Sequence, residues 1–240
     1  MAQFQLERLS RDGIRNAAQR HAAILVLLAV VCACAGGLLL FIEISDEVLE
    51  RESDQFDRAV LQWLRPSDPP RWVLEVVRDV TALGSTVVLV LWIAVTALFL
   101  ALNKKFRACT FVVAAAGTGI LVSSILKAAI GRQRPDVFAH DLYVVTASFP
   151  SGHAMMSAVV YLTLGALIAE VLRPPLQRLY VMLTAAFLAF VVGLSRLYLG
   201  VHWPTDVLAG WAAGAAWAAG AWGLAHFVFA RGANPRAGRK

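Results

Sequence analysis

Charge is scarce in this sequence. Only 16% of its 240 residues are Asp, Glu, Lys or Arg, against 59% that are hydrophobic, and the mean hydropathy is +0.65. That balance excludes an ordinary soluble domain. Polar–apolar alternation is missing too: the apolar residues run on without a break, which excludes a closed β-barrel and leaves helices to satisfy the backbone in lipid. Cysteine is rare, and Cys32, Cys34 and Cys109 all fall inside apolar runs. An odd number, with the first two on different helix faces, supports neither a disulfide framework nor a metal site, so all three read as packing residues. No group of carboxylates is placed to hold a divalent ion. There is no repeat of fixed period, and no linker is long enough to separate a second folded unit from the first.

What remains is six apolar runs, at residues 22–42, 82–102, 108–129, 154–172, 179–196 and 205–229. Each is close to the ~20 residues a helix needs to cross hydrocarbon. The expected fold is all-α, a polytopic membrane protein of six transmembrane helices. A basic leader at 1–20 and a basic tail at 231–240 flank a single membrane domain at 21–230. Six spans bring both ends to one side. That side collects Arg8, Arg11, Arg15, Arg20, Lys104, Lys105, Arg107, Arg173, Arg178 and the basic tail, against only Glu7, Asp12 and Glu170. Loops rich in Lys and Arg stay in the cytoplasm, so both termini are expected there. The net charge of +6 then reflects orientation and contact with anionic lipid, and no nucleic-acid partner is expected.

Between the first two runs, residues 43–65 are charged, yet Ile44, Val48, Phe56, Val60, Trp63 and Leu64 recur at helical steps. An amphipathic helix in the outer interface is expected, either a lid beside the site or a plain connector. Gly210 and Gly214 stand four residues apart, a spacing that lets helices approach closely; packing inside the bundle is favoured over a dimer contact.

The few charges the runs keep stand at their ends. Lys127 lies near the end of the third, with Arg134-Pro135 in the loop beyond. An ammonium and a guanidinium can grip a phosphoryl group together, although each could equally snorkel to the interface. Pro150-Ser151-Gly152-His153 precedes the fourth. Ser caps a helix, Gly admits an anion to the first free N–H groups, and the imidazole stands beside them; alone, the same residues could be a common turn. Ser195-Arg196 closes the fifth run and His202-Trp203-Pro204-Thr205-Asp206 opens the sixth. Pro204 suits the first turn of a helix, so Asp206 just inside can hydrogen-bond His202 just outside and fix which ring nitrogen is free to attack. Alone, such a pair is more often structural. The span count, however, gathers all three pieces on the outer face.

Lys127-x6-Arg134-Pro135, Pro150-Ser151-Gly152-His153 and Ser195-Arg196-x5-His202-x3-Asp206 resemble the complete three-part signature of the type 2 phosphatidic acid phosphatase family, which includes the vanadium haloperoxidases. The resemblance implies that His202 attacks phosphorus and Asp206 orients it. His153 would protonate the leaving oxygen and then activate water. Lys127, Arg134, Arg196, Ser151 and the backbone at Gly152 would bind the phosphoryl oxygens, with no metal and no cofactor. It further implies an enzyme that hydrolyses a lipid phosphate among membrane lipids; the charge bias puts the site at the outer leaflet of the cytoplasmic (inner) membrane, and a homo-oligomer is left open. Undecaprenyl pyrophosphate is the expected substrate, ahead of phosphatidylglycerophosphate, phosphatidic acid and a lipid A phosphate. Six spans argue against a soluble haloperoxidase, and retention of both histidines and Asp206 argues against a non-enzymatic lipid transporter. Arg132 is a fourth cation nearby. It is expected to be a solvated loop charge, like Asp136, His140 and Asp141, or else to reach the second phosphate of a diphosphate.

Overall fold

Polar side chains and glycines punctuate the apolar runs where helices must begin and end, and the computed structural model, which describes residues 2–66, 68–137 and 146–232, follows that punctuation. Among the described residues there are eight helices: α1 (Ala2–Leu49), α2 (Asp54–Leu64), α3 (Arg71–Ala82), α4 (Thr86–Leu102), α5 (Phe106–Ile130), α6 (Gly152–Val171), α7 (Pro175–Tyr198) and α8 (Pro204–Gly232). No strand occurs among the described residues. Six stretches of the described residues are long and apolar enough to cross a membrane, α3 and α4 counting as one, so this is a multi-pass membrane protein. Ser85 caps α4 and Ser151 caps α6, each accepting an N–H three residues on. Gly131, at φ +62°, ends α5 by bonding its N–H to the Lys127 carbonyl, which fixes Lys127 in the last turn.

α6 is the inner helix, packed on α7, α8, α5 and α4. Small residues let it sit there. A Cβ on Gly214 would lie 2.5 Å from the Met155 carbonyl oxygen, and one on Gly210 would lie 2.9 Å from that of Ser151. Both glycines therefore serve packing inside the bundle, as expected. α1 lies along α8 by the same means, Gly37 facing Ala212 and Ala216. Cys34 packs on α8, its thiol 3.5 Å from the Ala216 carbonyl, whereas Cys32 is exposed.

Two expectations need correction. Residues 43–65 do not form one amphipathic helix: the first seven continue α1, burying Ile44 and Val48 against Phe149 and Ala209, and the chain turns at residues 50–53 before α2. α2 then buries Asp57 and Leu61 while leaving Phe56 and Trp63 exposed. The apolar periodicity was thus shared between two surfaces of different helices. The second span, expected at 82–102, is longer and runs over Arg71–Leu102, with α3 ending at Ala82 and α4 starting at Thr86 after the turn at residues 83–85. Tyr161 of α6 holds that turn, donating to the Leu83 carbonyl at 2.8 Å.

Candidate active site

The ends of α5 and α7 and the starts of α4, α6 and α8 converge on one end of the bundle. There they enclose a cavity of about 260 Å³ whose walls include Lys127, Arg134, Gly152, His153, Arg196 and His202. Six of the eight expected residues share this one space. Among the described residues the lining contains three cations and two imidazoles and no carboxylate, and it continues into apolar walls at Leu89, Val90, Ile93, Ile120 and Met156. A phosphate attached to a hydrocarbon chain matches both halves.

The other two expected residues stand behind the wall. Ser151 is fully buried; its side chain caps α6 and its N–H donates to the Asp206 carbonyl at 2.9 Å, joining the starts of α6 and α8. Asp206, also fully buried, sits in the first turn of α8, where Oδ2 accepts the Trp203 N–H at 2.9 Å and lies 3.3 Å from His202 Nδ1. This carboxylate closes the helix start as a capping-box acid does, and that role fixes its direction toward the imidazole. On the other side of the ring, Arg134 Nη1 approaches His202 Nε2 at 3.2 Å. Guanidinium only donates, so Nε2 accepts and Nδ1 carries the hydrogen that Asp206 receives. The tautomer that presents a lone pair to the cavity is therefore the one the surroundings select. Burial pushes His202 down to about 3, aided by Arg196 and Arg134 and opposed by Asp206, so the ring is neutral at pH 7.

Carbonyls aim the cations. Lys127 Nζ donates to Ala147 at 2.9 Å; Arg134 donates to Thr146 at 3.0 Å and to Val201 at 2.6 Å. Arg196 Nη1 meets Thr81 of α3 at 3.1 Å, while its buried Nε finds no acceptor among the described residues. A buried donor left unmatched beside a cavity is costly unless something enters to accept it. A Cβ on Gly152 would come within 3.3 Å of Lys127 Cε, so the glycine leaves the ammonium its place.

Arg132 is neither a solvated charge nor part of the cavity wall. Its guanidinium is buried behind Asp206, donating to Asp206 Oδ1 at 2.9 Å and to Asp57 Oδ2 at 2.7 Å. Asp57 and Thr205 also escaped sequence reasoning; Asp57 is one acid among many in a charged segment, and no spacing marks it. Ser148 escaped as well, although it stands three residues before Ser151. Its hydroxyl donates to Asp206 Oδ2. Asp136 pairs with Arg58 at the surface, and His140 and Asp141 lie outside the described residues.

Six membrane spans around a cationic cavity with a paired histidine define an integral membrane phosphatase. The chain belongs to the PAP2 superfamily, whose sequence model matches residues 107–230. It is 36% identical over 145 residues to phosphatidylglycerophosphatase B of Bacillus subtilis, covering 60% of this chain and 70% of that protein. It is 31% identical over 128 residues to the undecaprenyl-diphosphatase of Sulfolobus acidocaldarius, covering 51% and 58%. The crystal structure of a transmembrane PAP2 type phosphatidylglycerolphosphate phosphatase from Bacillus subtilis superposes with a TM-score of 0.75 at 27% identity, over 85% of this chain and 99% of that one. These likenesses make the protein a hydrolase of the lipid phosphatase class, while the head groups named differ among the relatives.

Proposed function

We propose that this enzyme removes the terminal phosphate of undecaprenyl pyrophosphate at the outer leaflet of the cytoplasmic membrane, through a phosphohistidine at His202. In the first step His202 Nε2 forms a bond to phosphorus as the bond to the leaving oxygen breaks, and His153 gives that oxygen a proton. In the second, His153 takes a proton from water, the hydroxide displaces His202, and inorganic phosphate leaves. Asp206 holds the imidazole in line and balances its positive charge. Lys127, Arg134, Arg196 and the N–H groups at Gly152 stabilise the equatorial oxygens, with Ser151 closing the start of α6 behind them. No step calls for a metal ion.

The observation that carries this reading is the cavity lined by three cations and both imidazoles, with Arg196 Nε unmatched beside it and no carboxylate on its wall among the described residues. A diphosphate uses so much positive charge better than a monophosphate does, and its leaving group is a phosphate rather than an alkoxide. The loss of Arg132 from the cavity removes one argument for the diphosphate, and the likeness in sequence and in structure to phosphatidylglycerophosphate phosphatase of Bacillus subtilis favours that lipid as the second reading.

The test is a panel of undecaprenyl pyrophosphate, phosphatidylglycerophosphate, phosphatidic acid and lipid A, hydrolysed by the purified full chain in excess EDTA. The diphosphate should show the highest kcat/KM. Equal or better cleavage of phosphatidylglycerophosphate overturns the substrate, and activity that needs added magnesium overturns the mechanism.

A further inference from the structure

Asp206 accepts three donors on Oδ2, from His202, Trp203 and Ser148, but among the described residues Oδ1 meets only Arg132, at 2.9 Å. A carboxylate held firmly at one oxygen and loosely at the other can still turn about its axis and swing Oδ2 out of line with the imidazole. Arg132 prevents that turn only if it is itself fixed. It is: Nη2 donates to Asp57 Oδ2 at 2.7 Å and approaches Ser53 Oγ at 3.4 Å, while Nη1 also meets Thr205 Oγ1 at 2.7 Å. The guanidinium lies 5.4 Å from the Trp203 ring centre.

Asp57 in turn is tied to the helix that carries Asp206. It accepts the Thr205 N–H at 2.9 Å on Oδ1 and the Thr205 hydroxyl at 2.7 Å on Oδ2. The first of these supplies, from a distant stretch of the chain, the acceptor that an N-cap side chain would ordinarily give to α8. Asp57 and Asp206 are both fully buried against this one guanidinium, which also lies 3.5 Å from Asp54 Oδ1, and of these carboxylates it is Asp206 that meets His202. Its charge is what the imidazole needs as it becomes positive on attack.

We infer that Arg132 and Asp57 are positioning residues for the reaction, Asp57 fixing Arg132 and Arg132 fixing Asp206 in line with His202. The inference rests on the reading of His202 as nucleophile. It extends the working site to α2, since Asp57 lies outside the matched residues 107–230. It also assigns Arg132 to the support of the nucleophile rather than to the substrate.

The test compares wild type, Asp57→Asn, Arg132→Gln, Arg132→Lys and His202→Ala as full chains in micelles, with a prenyl diphosphate and phosphatidic acid as substrates. Asp57→Asn and Arg132→Gln should lower kcat by about 10- to 100-fold, the worth of one charge-assisted hydrogen bond. KM should move by less than about threefold, because neither side chain touches substrate. Both substrates should lose the same factor, and Arg132→Lys should recover some of it. A KM rise at full kcat, a loss confined to the diphosphate, or wild-type kcat in Asp57→Asn overturns the inference. Should Arg132→Gln fail to fold, Arg132→Lys decides: lower kcat at unchanged KM supports the inference and wild-type kcat overturns it. His202→Ala separates the two levels. Activity in that variant removes the reading of the site itself, whereas its silence beside a fully active Asp57→Asn removes only the role of Asp57 and Arg132.

Discussion

At the scale of residues, the site depends on a neutral imidazole held between a carboxylate and a guanidinium. Burial is the main reason His202 is driven down to about 3, so the ring binds a proton more weakly in the folded protein than in the unfolded one. Between pH ~6.5, the ordinary histidine value, and that folded value, acidification therefore favours the unfolded chain, and stability is regained as pH rises through the same window. An NMR titration of the labelled protein in micelles, with the His202 signal assigned by its loss in His202→Ala, should find the ring neutral down to pH ~5 or below. Protonation near 6.5 would mean the ring is solvated and the geometry wrong. The same variant should lose phosphate release by ~10⁴-fold or more, and Asp206→Asn by roughly 100-fold or more while remaining folded. The cluster was legible because its charged members stand at or just beyond helix ends, where a charge in an apolar chain is conspicuous. Arg132 was visible but misassigned, since a sequence gives its nearness to Arg134 and not its direction. Asp57 was invisible: its partners Arg132 and Thr205 lie 75 and 148 residues away in sequence.

At the scale of elements, close approach of α6 and α8 sets the distance between the two histidine-bearing helix starts. Gly214 faces the Met155 carbonyl so closely that any side chain meets backbone, which cannot move aside. Gly214→Leu should therefore cost about 1–3 kcal/mol or more through overpacking. Gly117 has nothing within 4 Å of a would-be Cβ, and Gly117→Ala should be neutral or raise stability by up to ~1 kcal/mol. Thermal unfolding followed by tryptophan fluorescence distinguishes them; equal midpoints for the two variants would contradict this packing. Helix positions were readable from apolar runs and end signals such as Pro204 and Gly131. The break at residues 50–53 was not, because it falls within sequence that keeps helical periodicity, and neither was α3, because Arg71, Glu75, Arg78 and Asp79 keep it out of the apolar run that begins at 82.

At the scale of the whole molecule, a consistent up-and-down path leaves Lys104, Lys105, Arg107 and Arg173 at the end opposite the cavity. We propose on that distribution that the cavity faces outward. With native thiols replaced, a cysteine at Asp136 should react with a membrane-impermeant reagent applied to intact cells, and one at Asn103 should not. The reverse pattern would put the cavity in the cytoplasm. The six-span plan was legible from hydropathy alone, whereas the enclosure of the cavity by Thr81 and Gly84 was not, since α3 touches the site only after the chain bends. The central claim concerns one bond, between phosphorus and His202 Nε2. It is tested most directly by mixing the purified enzyme with substrate labelled in its terminal phosphate, quenching within milliseconds into alkali, and locating the label by peptide mapping. The account predicts an acid-labile, alkali-stable phosphohistidine at His202 in the wild type and none in His202→Ala. Label on any other residue, or hydrolysis by His202→Ala, would contradict it.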